Sequence, residues 1–214
     1  MIELSLERVT NVLCLGAHSD DIEIGCGGTL LRLLRDHAGV NVWWIVFSGQ
    51  GTRSREARAS ARAFLEGAGK TKVVVKDFRD GFFPFHAERI KEYFESIKTA
   101  FRPDLVFTHF RDDRHQDHRV LSDLAWNTFR NHLILEYEIP KYDGDLASPN
   151  MFVRLDEDLS RRKARFLCQF FQTQANKHWF SEETFLGLMR LRGIECASGT
   201  KYAEAFYCRK IVVG

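Results

Sequence analysis

Strand-like and helix-like segments alternate along the first half of the chain. Strand-like runs at 12–15, 40–47, 72–78 and 105–109 are each followed by a segment in which apolar residues recur at helical spacing. This alternation is typical of parallel sheets, because a helical crossover joins one strand to the next parallel strand. The run at 40–47 is almost continuously apolar, as expected for a strand covered on both faces. The sequence therefore predicts an α/β fold with a mostly parallel central sheet flanked by helices.

The second half of the chain continues this fold. Strands are predicted near 133–139, 152–155 and 205–213, and helices near 159–170 and 182–192. The 214 residues, 44% of them hydrophobic, suffice for one sizeable core. No Pro- or Ser-rich linker and no internal repeat divides them. We therefore predict a single domain that spans 1–214.

Charge and composition argue against several classes of protein. The 31 Lys and Arg residues against 29 Asp and Glu give a net charge of +2, which is too small to indicate a nucleic-acid partner. No apolar run is long enough for a membrane span, and the N-terminus lacks the pattern of a signal peptide. The five cysteines include no Cys-x-x-Cys pair, which is typical of a reduced protein. We therefore expect a cytoplasmic protein without a disulfide framework.

Residues suited to chemistry follow each predicted strand. His18, Asp20 and Asp21 come directly after the first strand, Arg53 follows the second, and Asp80 follows the third. In open α/β sheets, ligands bind at the carboxyl ends of the strands, where such loops meet. These positions therefore predict one polar site at a single edge of the sheet. The loop after the fourth strand adds the largest group of polar side chains: Asp112, Asp113, Arg114, His115, Asp117 and His118.

The residue types in these loops indicate a metal site. Zinc binds imidazole and carboxylate groups, and catalytic zinc sites keep one position open beside three protein ligands. A further carboxylate is then needed as a general base. Asp20 and Asp21 can supply a ligand and a base, but their spacing does not decide which takes which role. His115 and His118 are three residues apart, so one can bind metal while the other faces substrate, and Asp117 is a candidate partner that orients an imidazole.

Each pattern also has a simpler structural interpretation. An Asp-Asp pair after a strand often caps a helix, and His109, at the end of the fourth strand, is ambiguous. The segment 25–28, Gly-Cys-Gly-Gly, could cradle a phosphate, but it lacks the Gly-x-Gly-x-x-Gly order and a P-loop lysine. We interpret this segment as close packing of a helix on a strand.

Two motifs together resemble a known family. The segment 17–28, Ala-His-Ser-Asp-Asp-Ile-Glu-Ile-Gly-Cys-Gly-Gly, and the segment 115–118, His-Gln-Asp-His, resemble the LmbE-like, or PIG-L-type, zinc-dependent N-acetylglucosaminyl deacetylases. Weaker similarity covers 51–53, Gly-Thr-Arg, and the terminal 202–206, Tyr-Ala-Glu-Ala-Phe. Ser19 and Gln116 stand where the family usually has proline. The resemblance implies a Rossmann-like α/β fold and hydrolytic removal of an N-acetyl group from an amino sugar.

The family's functional residues fall on positions that the strand-end argument had already selected. By resemblance, His18, Asp21 and His118 bind one zinc ion per chain, with other divalent metals as alternatives. Asp20 is then the general base. His115 stabilises the tetrahedral intermediate or protonates the leaving amine. The candidate substrate contacts are Arg53 and Asp80, which fall where the family contacts substrate, and the neighbouring Arg114.

We therefore expect an N-deacetylase that acts on a small N-acetylated sugar or sugar conjugate. One alternative is a zinc amidohydrolase that acts on a different amide or acyl group. Another is a non-catalytic Rossmann-like module that binds a nucleotide at the same sheet edge. The absence of the Pro-Cys-x-x-Cys signature argues against a zinc nucleobase deaminase. Aromatic segments such as Trp179-Phe180 are candidates for an interface in a homo-oligomer.

Overall fold

Seven strands and six helices form the described part of the protein. The computed structural model describes residues 3–212. The strands are β1 (Asn11–Gly16), β2 (Asn41–Val46), β3 (Thr71–Val75), β4 (Leu105–His109), β5 (Leu133–Tyr137), β6 (Met151–Leu155) and β7 (Tyr202–Cys208). The helices are α1 (Asp21–Asp36), α2 (Gly51–Phe64), α3 (Ala87–Ala100), α4 (Gln116–Thr128), α5 (Glu157–Phe170) and α6 (Glu182–Glu195).

All seven strands belong to one mostly parallel sheet. Their order is β3-β2-β1-β4-β5-β7-β6, and the five strands from β3 to β5 run parallel. β7 runs antiparallel to both of its neighbours. The predicted single-domain, Rossmann-like α/β fold is confirmed. β1 lies between β2 and β4, so the direction of the strand order reverses there and opens a crevice at the carboxyl ends of β1 and β4.

The helices cover both faces of the sheet. One apolar cluster packs α1, α2, α5 and α6 against the sheet, and a second packs α3 and α4 against the other face. Successive side chains of a strand point to opposite faces, so Val12 and Cys14 join the first cluster while Leu13 and Leu15 join the second. Burial on both faces explains why the inner strands have almost continuous apolar sequences.

The glycine-rich segment at 25–28 lies inside α1 and packs closely. A Cβ atom on Gly25 would lie 2.1 Å from the ring of Tyr137, and one on Gly27 would lie 2.6 Å from the ring of Phe64. A Cβ atom on Gly28 would lie 2.5 Å from the side chain of Leu155. The interpretation of this segment as close helix packing is confirmed.

One strand boundary that was expected in the second half of the chain was wrong. The last strand, expected at 205–213, runs over Tyr202–Cys208; residues 209–212 lie outside it, and 213 lies outside the described residues. Its start was missed because Glu204 interrupts the apolar pattern. In the segment Trp179-Phe180, a candidate for an interface, Phe180 is buried against Phe171 and Phe185. Trp179 is half-buried, so an interface at this residue stays a prediction. Between residues 3 and 212, no helix combines the length and the apolar character needed to cross a membrane.

Candidate functional site

The predicted residues from the first and fourth strands meet in the crevice between β1 and β4. His18 and Asp20 lie in the loop between β1 and α1, and Asp21 is the first residue of α1. His115 precedes α4, and His118 lies in its first turn. His18 and His118 are 100 residues apart in the sequence, yet their ring nitrogens approach to 3.2 Å. The sheet order brings these loops together, as the strand-end argument predicted.

Three potential ligand atoms converge at the centre of this group. Nδ1 of His18 lies 3.2 Å from Nε2 of His118 and 3.4 Å from Oδ2 of Asp21, and the last two atoms are 3.6 Å apart. Zinc–ligand bonds of about 2.0–2.1 Å with tetrahedral angles require donor atoms about 3.3–3.5 Å apart. The spacing of these donors therefore fits one ion. His115 and His109 are close enough to belong to overlapping potential metal-binding groups.

Carboxylates contact the outer nitrogen of each imidazole. Nε2 of His18 lies 3.0 Å from Oδ1 of Asp80 and 3.3 Å from Oδ2 of Asp117. Nδ1 of His118 lies 2.9 Å from Oδ2 of Asp113. A carboxylate on the outer N–H orients an imidazole and leaves the other nitrogen with a lone pair for a metal. With this protonation, His18 and His118 both direct lone pairs toward Asp21.

Asp117 also holds the loop that follows β3. Its two carboxylate oxygens accept hydrogen bonds from the backbone N–H groups of Gly81, at 2.7 Å, and Phe83, at 3.0 Å. The side chain of Gln116 donates to the carbonyl of Gly81 at 3.1 Å. These bonds fix Asp80 at the edge of the site, where 60% of its side chain is exposed.

Asp20 and Asp21 point to different partners. Asp20 occupies the N-cap position of α1, but its side chain makes no capping hydrogen bond. Instead its Oδ1 accepts a hydrogen bond of 2.9 Å from the guanidinium of Arg53. Oδ2 of Asp21 accepts the backbone N–H of His18 at 2.6 Å and faces the histidines. The capping interpretation of Asp20 was therefore wrong.

His115 is held by the start of α4. Its Nδ1 accepts a hydrogen bond of 3.2 Å from the backbone N–H of Asp117. A nitrogen that accepts cannot carry the proton, so the neutral ring of His115 has its N–H at Nε2. The ring centroid lies 4.8 Å from that of His18 and 4.6 Å from that of His118. His115 therefore places a hydrogen-bond donor beside the convergent ligand atoms.

Arg114 differs from the other predicted residues. Its backbone N–H donates to Asp145, and its carbonyl accepts from Arg119. Within residues 3–212 its exposed guanidinium makes no hydrogen bond or ion pair. The fold therefore does not bring this side chain into contact with the cluster.

Comparison with known proteins identifies the family. A sequence model described as "PIG-L: GlcNAc-PI de-N-acetylase" matches residues 13–129, which is more than half of the chain and includes both histidine motifs. The chain belongs to the PIG-L family. The resemblance drawn from the two motifs is thereby confirmed, and the protein is an enzyme of a deacetylase family, whose members hydrolyse amide bonds.

Similar proteins support the family and also show how far the fold alone carries an argument. The chain is 29% identical over 145 residues to the uncharacterized deacetylase YaiS of Escherichia coli K12. This match covers 64% of this chain and 77% of that protein. N,N'-diacetylchitobiose deacetylase from Pyrococcus horikoshii superimposes with a TM-score of 0.73 at 23% identity, over 94% of this chain and 84% of that one. GalB from Pseudomonas putida, a 4-carboxy-2-hydroxymuconate hydratase, superimposes with a TM-score of 0.67 at 17% identity, over 96% of this chain and 98% of that one. Because a hydratase has the same fold, the reaction must be argued from the site.

Burial and neighbouring charges set the protonation of this PIG-L site. Burial lowers the pKa of His118 to about 3. Burial acts to raise the pKa of Asp21, but His118 and His109 outweigh it and bring that pKa well below its usual range. Burial raises the pKa of Asp20, while Arg53 opposes the rise. Burial acts to lower the pKa of His18, but Asp21 and Asp117 outweigh it and raise that pKa well above its usual range. His118 and Asp21 thus have the protonation that metal binding requires, a neutral imidazole beside an ionised carboxylate, whereas His18 would release a proton on binding a metal.

Three further residues of the PIG-L site were assigned no role from the sequence. Nε2 of His109 lies 3.3 Å from Oδ2 of Asp21 and accepts the backbone N–H of Ala17 at 3.0 Å, and its ring stacks on His118. Asp113 joins His118 to Lys141, whose Nζ lies 2.9 Å from the same carboxylate oxygen. The position of His109 at a strand end and of Asp113 in the polar loop were available signals. Nothing in the sequence near Lys141 indicated its role.

Proposed function

We propose that this enzyme is a metal-dependent N-deacetylase that removes the acetyl group from an amino sugar or amino-sugar conjugate. The observation that carries the proposal is the convergence of one nitrogen each from His18 and His118 and one oxygen of Asp21, 3.2–3.6 Å apart. A buried carboxylate that is free of this cluster, that of Asp20, lies beside it. The sugar substrate is supported by the description of the family and by the diacetylchitobiose deacetylase with the same fold.

We propose zinc as the metal, at one ion per chain. Two imidazole nitrogens and one carboxylate oxygen suit zinc and similar transition metals, whereas magnesium and calcium prefer sites built from oxygen. When bound, such an ion polarises a carbonyl group and lowers the pKa of a coordinated water. The carboxylates of Asp113 and Asp117 would keep the two imidazoles oriented toward it.

Asp20 is the proposed general base. Its Oδ1 is held by Arg53, whereas its Oδ2 makes no hydrogen bond within the described part of the chain and can accept a proton from water. Its position at the N-cap of α1 places it next to the proposed ligand Asp21 but outside the three convergent atoms. A positioned base of this kind contributes about 10²–10⁴-fold to the rate.

His115 is the proposed donor to the oxyanion that develops from the amide carbonyl. Its proton is on Nε2 because Nδ1 accepts the backbone N–H of Asp117, and this Nε2–H meets no acceptor within residues 3–212. A fixed donor stabilises a developing negative charge without reorganisation. We propose Asp80 and Arg53 as contacts to the sugar, since Asp80 is exposed at the edge of the cluster. Arg114 would join them only if its exposed side chain turned toward the site.

Substitution of the two neighbouring aspartates tests this division of roles. Asp20→Asn should keep the metal and lose about 10²–10⁴-fold in kcat/KM, because only the proton acceptor is lost. Asp21→Ala should lose both metal and activity. Metal content and the release of acetate from N-acetylglucosamine-type substrates are measured, with the exposed Asp123→Asn on α4 as control. Normal turnover by Asp20→Asn would reject the base, and full metal content in Asp21→Ala would reject the ligand.

A substrate panel addresses the remaining alternatives. N-acetylated sugars, their nucleotide conjugates and simple amides are compared with the muconate substrate named for GalB. Acetate release that is confined to N-acetyl sugars and abolished by a chelator supports the proposal, whereas hydration of the muconate without acetate release would replace it. We also propose a cytoplasmic location, supported by five cysteines that are all free.

A further inference from the structure

A buried ion pair contacts the middle of α1, the helix that carries Asp21. Glu204 of β7 and Lys163 of α5 are both buried, and Nζ of Lys163 lies 2.6 Å from Oε1 of Glu204. Neither residue belongs to the candidate metal centre. A buried ion pair is weak support for stability, because removing two charges from water costs about as much as their attraction returns. The pair therefore calls for another explanation.

The pair binds backbone groups of α1 directly. Glu204 accepts the N–H of Gly28 at 2.7 Å and the N–H of Thr29 at 2.6 Å. Lys163 donates to the carbonyl of Ile24 at 2.6 Å. In a regular α-helix, the N–H of residue 28 donates to the carbonyl of residue 24. The ion pair thus binds both the N–H of Gly28 and the carbonyl of Ile24, the two groups that such a helical hydrogen bond would join.

The same helical step connects to the catalytic end of α1. The N–H of Ile24 donates to the carbonyl of Asp20 at 3.0 Å. Ile24 therefore connects the two residues through its backbone: its N–H binds Asp20, and its carbonyl binds Lys163. Gly25, the next residue, packs against Tyr137, whose hydroxyl donates to the carbonyl of Leu15 in β1. These contacts fix the first turn of α1 relative to the sheet.

A ligand does not account for the pair. The cavity beside it measures about 20 Å³, which is room for about one water molecule. Its walls include a second buried ion pair, Glu138 with Arg192, and the apolar side chains of Phe185 and Met189. The charges of Lys163 and Glu204 are thus directed at each other and at the backbone of α1.

We propose that Glu204 and Lys163 are positioning residues that set the location of the first turn of α1. They thereby fix the spacing of the Asp21 carboxylate from the imidazoles of His18 and His118, and the direction of Asp20. This inference rests on the proposed metal-dependent deacetylation. It also explains why the segment 202–206 resembles the family although it lies outside residues 13–129 and contacts the helix rather than the ligand atoms.

The test compares two buried ion pairs. Glu204→Gln keeps the shape of the side chain but removes its charge and one acceptor, and Lys163→Met removes the partner. The matched control is Glu138→Gln, which breaks an equally buried pair with Arg192 that is formed between the end of β5 and α6. For each variant, the metal dissociation constant is measured by chelator competition, with the Tm of the metal-free protein, kcat and KM.

Glu204→Gln and Lys163→Met should weaken metal binding by about 10-fold, the lower end of the loss seen when groups that orient metal ligands are removed. They should lower kcat with KM unchanged, while Glu138→Gln lowers only the Tm. Metal affinity and kcat equal to wild type in both test variants, with any loss confined to the Tm, would overturn the inference. Failure of the wild type to bind metal or release acetate would instead overturn the proposed function.

A measurement on the wild-type protein is independent of whether the variants fold. Coupling between two sites is reciprocal, so metal binding should slow hydrogen exchange at the amides of Gly28 and Thr29, which donate to Glu204. The amides at the C-terminal end of α6 serve as the reference. Exchange at Gly28 and Thr29 that is unaffected by metal would also overturn the inference.

Discussion

At the scale of single residues, the different contacts of Asp20 and Asp21 follow from their positions at the start of a helix. Asp20 still has a non-helical neighbour before it, and Asp21 is the first residue of α1. Their side chains therefore leave the backbone in different directions, one toward Arg53 and the other toward His118. Two chemically identical side chains thus acquire different partners, as the proposed roles of base and ligand require.

Asp113 offers a test of the carboxylates that contact the proposed metal ligands. Asp113→Asn should weaken metal binding by about 10–100-fold, because an amide is a poorer partner than a carboxylate for Nδ1–H of His118. The matched control is Asp112→Asn, since Asp112 is the preceding residue and 71% of its side chain is exposed. The measurement is the dissociation constant from chelator competition. Equal constants for the two variants would show that the contact with His118 has no effect on the metal.

The proposed ligands could be selected from the sequence because His18 and Asp21 come directly after the first predicted strand and His118 lies in the polar segment after the fourth. It could not separate Asp20 from Asp21, and only the family resemblance did so. Lys141 was missed because it contacts Asp113 from 28 residues away, and no local pattern records such a contact. Arg114 was selected for its charge and position, but its side chain lies in solvent.

At the scale of elements, the glycines of α1 allow this helix to pack closely against its neighbours. Its three glycines face Tyr137, Phe64 and Leu155, and its middle contacts Glu204. The parallel strands and their helices could be predicted because apolar periodicity is a local property. The start of β7 could not, because Glu204 has its partners in α1 and α5, far away in the sequence. A buried charge in a strand therefore concealed the strand.

Replacing glycine in two helices should have opposite effects. Gly25→Ala in α1 should destabilise the protein by about 1–3 kcal/mol, because its Cβ would overlap the ring of Tyr137. Gly187→Ala in α6 should stabilise it by up to about 1 kcal/mol, because no atom lies within 4 Å of the added methyl group and alanine favours a helix. Urea unfolding gives both free energies. A stabilising Gly25→Ala would mean that α1 can move away from β5 without cost.

At the scale of the whole molecule, sheet order assembles the site. β1 pairs with β2 on one side and β4 on the other, so the loop that carries His18 and the first turn of α4, which carries His118, become neighbours. The sequence predicted that these loops share an edge, but strand order is not written in local periodicity. The position of the proposed substrate contact Asp80 could not be predicted from local sequence either, because its loop at 79–83 is held by Asp117 in α4.

Removal of metal should lower the stability of the entire domain, because the proposed ligands come from both sides of the crevice between β1 and β4. Binding to the folded state alone stabilises it by about 2.7 kcal/mol when free metal is at 100 times the dissociation constant. A chelator should therefore lower the Tm of the wild type, and zinc should restore it, whereas magnesium should not, because two of the three donors are imidazoles.

Asp21→Ala should show one low Tm under all these conditions, and the exposed variant Asp123→Asn should follow the wild type. Restoration of the Tm by magnesium would point to an oxygen-based site such as Asp80 with Asp117. A Tm that neither metal changes would mean that His18, Asp21 and His118 do not bind an ion.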